Sequence, residues 1–399
     1  MKKNDLLSTT VDHYDIKAVN VVPMIEMMEK TAFQARNLAR GAKIYDEMVA
    51  DENCGIILTL AGSLISAGQK GIILDLMRCN MVDAIVSTGA NIVDQDFFEA
   101  LGFRHYQGSP FVPDNDLRER HIDRIYDTFI DEDELRICDD TIFKIAESLP
   151  PGSYSSREFI RKMGRYLEKN HPQAESIVLE GYKRNIPIFC PAFSDCSAGF
   201  GLVFHQVKRM QEGREVAAAK VGEARTGAVV AVKREDLDKA ISGLSQQAVS
   251  QMMPAQNYVS IDSVADFREL TQIKVAAGVT GLLMIGGGVP KNFVQDIVVS
   301  AEFLGYEVEM HKYAVQLTVA DERDGALSGS TLMEANSWGK VDLAKEQMVF
   351  GEATVTFPLV AGYAYHKGSW KNRKARNFGE IFSKPMQLKA EGYAELAAK

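Results

Sequence analysis

Near its C-terminal end the chain reads EANSWGK, from Glu334 to Lys340. A lysine one glycine away from an indole has a use in amine chemistry. Held against the apolar face of Trp338, its ammonium would lose hydration, and desolvation favours the neutral amine that attacks imines. A surface lysine after a turn glycine fits the same seven residues, and the heptapeptide alone leaves both readings open. Carboxylates supply the complementary chemistry. Asp94, Asp195, Asp324, Glu334 and Glu352 follow or flank apolar runs, where they could orient a cationic amine or accept a proton during its oxidation. Each fits a helix cap or a surface charge equally well.

The elements that must position these groups recur along the chain. GIILTLAGSLISAG from Gly55, DAIVSTGANIVD from Asp83, IPIFCPAFSDCSAG from Ile186, GLLMIGGGVPKN from Gly281 and AVQLTVADERDG from Ala314 share one pattern. Each is a short apolar run ending in small residues, the signature of a buried parallel strand feeding a loop and helix. Helices alternate with them. Ala35, Leu38, Ala42, Tyr45 and Val49 recur at three- and four-residue steps on one apolar face, and Ser155-x-x-Glu158 opens another helix with a capping box. Strand alternating with helix predicts an α/β layer fold with a mainly parallel sheet. Ligands in such sheets bind outside the carboxyl ends of the strands. Here those ends hold Gly62, Ser63 and Ser66, then Ser87, Thr88 and Gly89, and further on Gly286, Gly287 and Gly288. Small residues admit a ligand to the backbone, and hydroxyls and amides bind phosphate or ribose oxygens. The composition is that of a nucleotide site. No G-x-G-x-x-G follows any of these strands, so a dinucleotide would be held by a different arrangement.

With 399 residues, one elaborated domain or two are both possible, and 46% hydrophobic with 25% charged residues predicts a chain that buries a core. A net charge of −9 argues against a general nucleic-acid binder. The five cysteines form no C-x-x-C pair and have no histidine at metal-ligand spacing, so they read as reduced thiols and no metal is expected. The N-terminus lacks the apolar core of a signal peptide, and no stretch of roughly 18 apolar residues exists for a membrane span. A soluble, cytoplasmic protein without a membrane or nucleic-acid partner is expected. Residues 1–30 read as an N-terminal arm that packs, 31–370 as one main α/β domain and 371–399 as a tail. The basic cluster HKGSWKNRKARNFGEIF reads as a solvated face.

Several segments together resemble the deoxyhypusine synthase family: SLISAG (63–68), NMVDAIVSTGA (80–90), NIPIFCPAFSD (185–195), IGGGVPKN (285–292), SGSTLMEANSWGK (328–340) and VFGEATVTFPLV (349–360). The resemblance implies a Rossmann-like three-layer fold, a homotetramer with active sites at subunit interfaces, and NAD as cofactor. It also implies a reaction. NAD takes a hydride from a carbon beside an amine nitrogen of spermidine, the imine passes as a 4-aminobutyl group to an enzyme lysine and then to an acceptor amine, and the hydride returns. Lys340 matches that lysine, with Trp338 as an apolar wall, Gly339 leaving room and Glu334 alongside. By the same resemblance Ser63, Leu64, Ile65 and Ser66 match a first NAD loop and Thr88, Gly89 and Ala90 a second. Asp195 and Gly287 match residues near the cofactor, and Glu352 and Ala353 the pair near its adenosine. Asp94 stands where the family has a glutamate close to NAD and the amine, and is the expected proton acceptor.

The departures fall on the amine side. Asn292 replaces a histidine and cannot relay a proton near neutral pH. Phe200 and Leu327 replace two acidic amine ligands, and Asp324 and Ser328 complete the substrate-side candidates. Charge-assisted hydrogen bonds are worth about 1.5–3 kcal/mol each, so two losses would weaken spermidine binding by roughly two to four powers of ten. The expectation is a transferase of an aminobutyl or related alkylamine group in polyamine metabolism, acting on a small-molecule amine distinct from spermidine. True deoxyhypusine synthesis on a protein lysine, a silent NAD-binding scaffold and an amine dehydrogenase are the alternatives.

Overall fold

The computed structural model describes residues 2–226, 256–323 and 330–389. Six parallel strands form the main sheet, numbered here in chain order: β1 Gly55–Leu60, β2 Ala84–Ser87, β3 Ile188–Phe189, β4 Thr280–Ile285, β5 Tyr313–Thr318 and β6 Glu346–Phe350. Every residue of β1, β2, β4 and β5 is buried, as expected of strands covered by helices on both faces. Alternation assigns their side chains to two cores. Ile56, Leu58 and Leu60 pack on one face with Tyr45, while Ile57 packs on the other with Val86, Leu282 and Met284. The edges are the shortest strand and the most polar one, β3 and β6, a usual way to blunt an exposed edge.

The spatial order is β6-β5-β4-β1-β2-β3. This is the doubly wound 3-2-1-4-5-6 order, in which strand order reverses between β1 and β4. The Rossmann-like expectation therefore holds, and the topology itself marks where a ligand crevice opens. Helix Phe33–Ala50 buries Leu38, Ala42, Tyr45 and Val49 as expected and leaves Ala35 half-buried. The Ser155–Glu158 capping box forms in both directions. A small antiparallel sheet, Tyr106–Gln107, Ile122–Ile125 and Thr128–Asp131, stands beside the main one and had no counterpart in the sequence reading. No helix among the described residues is long and apolar enough to cross a membrane.

The C-terminal basic cluster divides. Lys371 and Lys374 are exposed, whereas Arg373 is 7% exposed and reaches under the sheet. Its guanidinium pairs with buried Asp83 at 2.5 Å and donates to the carbonyls of Asn80, Asp51 and Cys54. A planar fork with five donors explains why one cation of the cluster is internal. Removing one partner of a buried ion pair strands the other, so Arg373→Ala is expected to cost about 3–5 kcal/mol of stability. Denaturant unfolding checks this, with Lys374→Ala as the near-neutral control.

Candidate functional site

The carboxyl ends of β1, β4 and β5 open onto a cleft of ≈ 870 Å³, within the roughly 300–1,000 Å³ of ligand pockets. Ser63, Leu64 and Ser66 line it from the loop after β1, Gly286 from the triple-glycine turn, and Glu352 and Ala353 from the start of helix Ala353–Lys367. Gly286 and Gly288 adopt φ values of 81° and 65°, the left-handed region in which glycine is unstrained. Gly287 between them is the N-cap residue of helix Gly288–Gln295. Glu352 caps its own helix by accepting from the Thr354 amide at 2.8 Å.

The two expected cofactor loops are tied together by buried amides that the sequence reading did not single out. Leu64 donates its backbone N–H to Asn91 Oδ1 at 2.8 Å, Ser66 donates to Gln95 Oε1 at 2.9 Å, and Asn91 Nδ2 donates to the Thr88 hydroxyl at 3.0 Å. Asn91 and Gln95 sit on the π-helix Ala90–Phe97, a geometry frequent at functional sites. A Cβ on Gly89 would lie 2.5 Å from Cys196 Sγ, so this position needs glycine for packing. Ile65 is fully buried and anchors the first loop in the core. Thr88, Gly89, Ala90, Asp195 and Gly287 are not among the residues lining the cleft.

Asp94 lies on the same π-helix and accepts from the Ser197 backbone N–H at 2.7 Å. Burial pushes its carboxyl up to about 6, with the nearby Asp139 and Asp195 charges adding to the shift. Phe200, one turn into the helix that starts at Ser197, is 71% exposed. Asp324, Leu327 and Ser328 lie outside the described residues.

Lys340 is placed by backbone bonds on both sides. Its N–H donates to Ala335 O at 3.0 Å, its C=O accepts from His311 N at 2.9 Å, and Asn336 Nδ2 donates to Val341 O at 2.9 Å. The short helix Leu332–Ser337, capped by Thr331, leads into it. Gly339 has a φ of 70° and a Cβ there would meet nothing, so this glycine serves the turn and does not make room for the lysine. Lys340 Nζ lies 5.2 Å from the Trp338 ring and 2.5 Å from Asp296 Oδ1. Trp338 is 66% exposed, so the apolar wall is one open ring face. Glu334 is exposed on the same short helix.

Asp296 was missed in the sequence, although it shares a helix face with Asn292 four residues earlier. Lys291 was missed too. It is fully buried, donates to Ser330 O, and burial lowers it to about 8, with the Glu334 charge opposing and the Lys340 charge adding to that shift. Behind the lysine segment His311 is fully buried, its Nδ1 2.8 Å from Thr280 Oγ1 and its Nε2 3.0 Å from Val294 O. Burial pushes its pKa well below the usual value, so the ring is a neutral brace in which Nε2–H donates to the carbonyl.

The two halves sit at opposite ends of the parallel strands. Cleft residues Leu317 and Thr318 end β5, whereas the Lys340 segment bridges to His311, just before β5 begins. The extended run from His311 to Thr318 spans roughly 20 Å at about 3.3 Å per residue. Helix Gly288–Gln295 joins the levels, from the glycine turn down to Asp296, over about 12 Å. Among the described residues no group of three or more His, Cys, Asp or Glu side chains is placed to hold a metal.

Comparison with known proteins agrees with this picture. The sequence model of the family described as deoxyhypusine synthase matches residues 23–236 and 240–364. A deoxyhypusine synthase-like protein of Chlorobaculum parvum is 58% identical over 388 residues, covering 97% of this chain and 98% of its own. One of Coxiella burnetii is 52% identical over 381 residues, covering 95% and 96%. A crystal structure of a candidate deoxyhypusine synthase from Entamoeba histolytica aligns with a TM-score of 0.50 at 16% identity, covering 89% of this chain and 97% of that one, a likeness of fold. Matched along nearly its whole length, the chain belongs to the deoxyhypusine synthase family.

Proposed function

We propose that the protein is an NAD-dependent transferase that moves an aminobutyl or related alkylamine group through an imine of Lys340, in polyamine metabolism. The observation that carries this reading is Lys340 itself, an amine braced by backbone bonds with a carboxylate at 2.5 Å and an indole face at 5.2 Å. NAD, when bound, supplies the hydride acceptor and returns the hydride at the end. The cleft at the strand-order reversal fits such a dinucleotide, with Ser63 and Ser66 hydroxyls for phosphate or ribose and Glu352 for ribose hydroxyls.

The other residues handle protons and cations. An ammonium cannot release a hydride from its neighbouring carbon until its nitrogen lone pair is free, and Asp94, ionised above about pH 6, is the group to take that proton. Asp296 takes the proton from Lys340, whose amine then adds to the imine carbon and displaces the leaving amine. Acceptor amine attack on the Lys340 imine releases the lysine. Glu334, Asp296 and the Trp338 face offer the retained grip on a second ammonium. Phe200 in place of a carboxylate favours an amine that presents an apolar segment there.

Because cleft and lysine stand at opposite ends of the strands, we take the working site to join the cleft of one copy to Lys340 of another, in the homotetramer the family resemblance implies. The exposed apolar stripe Phe200, Val203, Phe204 and Val207 supports association of copies. NADH absorbance tests the reaction class. With donor amine and no acceptor, NADH is expected to rise to at most one equivalent per site and then stop. Continued accumulation would identify an amine dehydrogenase instead.

A further inference from the structure

Two segments outside the strand ends also line the cleft. One is the N-terminal strap around Val11 and Tyr14, the other the hairpin turn Tyr126–Asp127. Tyr14 is 49% exposed and Tyr126 72% exposed, and both line the cleft.

The strap is built in at several points. Gln107 N donates to Thr9 O at 2.8 Å, Val11 N to His105 O at 2.9 Å and Tyr14 N to Gly68 O at 2.8 Å. His13 Nε2 lies 2.9 Å from Glu99, and Lys17 pairs with Asp75 at 2.6 Å. Gly68 and Gly71 exist for this contact. A Cβ on Gly68 would lie 2.6 Å from Asp12 O, and one on Gly71 would lie 2.2 Å from Tyr14 O. The strap thus lies directly on the loop that carries Ser63 and Ser66.

Tyr126 occupies a costly place. It is the first of the two residues linking Ile122–Ile125 to Thr128–Asp131, and its φ is 51°. Two-residue hairpin turns give such a position to Gly, Asn or Asp, and a bulky residue there is strained. The turn is nevertheless held: Arg124 Nη1 donates to Tyr126 O at 2.9 Å, and Gly108 N donates to Asp127 O at 2.7 Å. A tyrosine at a position that favours glycine, lining a cleft, is the kind of strained residue that clusters at ligand sites.

We propose that Tyr14 and Tyr126 form an aromatic clamp for a planar ring of the bound nucleotide, so that the N-terminal strap and the hairpin are part of the cofactor site. The inference rests on the cleft being the NAD site. The serine and threonine residues lining the cleft offer hydroxyls suited to phosphate and ribose, which leaves the rings of the cofactor to be recognised by faces. Stacking of a base on an aromatic side chain is worth about 1–3 kcal/mol by alanine substitution, or roughly 5- to 150-fold in affinity.

Calorimetric titration of the full-length protein with NAD, alongside thermal unfolding, tests it. Tyr14→Ala and Tyr126→Gly are each expected to weaken NAD about tenfold or more, while Tyr14→Phe retains affinity. Tyr126→Gly should at the same time raise the unfolding midpoint, because it relieves the turn. A tyrosine serving only the fold would behave oppositely, with NAD affinity untouched. Wild-type binding with unchanged affinity in both Tyr14→Ala and Tyr126→Gly would overturn the clamp alone. Failure of the wild type to bind NAD would overturn the cofactor reading, and the clamp with it.

Discussion

Lys340→Arg is expected to lower kcat by at least about a thousandfold, the scale of losing a nucleophile that acts covalently. The substitution is chosen because it separates chemistry from architecture. Arginine keeps a cation for Asp296 and for the Trp338 face, so the braced segment from Thr331 to Val341 should stay folded. It cannot lose its proton near neutral pH, so it cannot add to an imine. NAD affinity should be largely retained, since the cleft that would hold the nucleotide is lined by the serine and glycine loops and not by Lys340 of the same copy. Steady-state kinetics and calorimetry decide the matter together. Loss of turnover with intact NAD binding supports the covalent role, and near-normal turnover would remove it.

Asp94→Asn is the second large effect, about 10² to 10⁴ in kcat if Asp94 is the proton acceptor. Its pH signature is specific. The carboxyl is raised to about 6, so the wild-type rate should rise with pH up to about 6 and then level, and the residual activity of Asp94→Asn should lack that limb. Stability moves the other way. A carboxyl held above its unfolded value of about 3.9 binds its proton more tightly in the folded protein. The stability this gives is fully present below the unfolded value and is lost as pH rises through about 6. Asp94→Asn, which cannot ionise, should therefore gain thermal stability relative to wild type above about pH 6 and not below 4. A pH series of unfolding midpoints beside the rate profile separates the two roles.

The sequence showed best what repeats locally. β1, β2, β4 and β5 are buried runs that end in small residues, and the strand-end rule points to Gly62, Ser63, Ser66 and Gly286, while Glu352 stands among the carboxylates that flank apolar runs. β6 was harder to see because EQMVF is half polar, as an edge strand is free to be. The hairpin from Ile122 to Asp131 was hidden for a related reason, since its turn carries Tyr126 where a reader looks for glycine. Arg373 and Asp296 show the deeper limit. Their partners Asp83 and Lys340 are distant in the chain, and nothing in local spacing says that a basic tail residue reaches beneath the sheet or that a helix end meets the lysine. The separation of Lys340 from the cleft was likewise invisible, because it follows from which end of β5 each segment joins.

The covalent step itself is the most direct test. The protein is incubated with NAD and a panel of amines that includes spermidine, reduced with borohydride, digested and weighed by mass spectrometry at the Lys340 peptide. The account predicts a mass increase on Lys340 that depends on both NAD and the amine, absent in Lys340→Arg, with spermidine weaker than another donor. No adduct with any amine, in protein that binds NAD, would contradict transfer through Lys340.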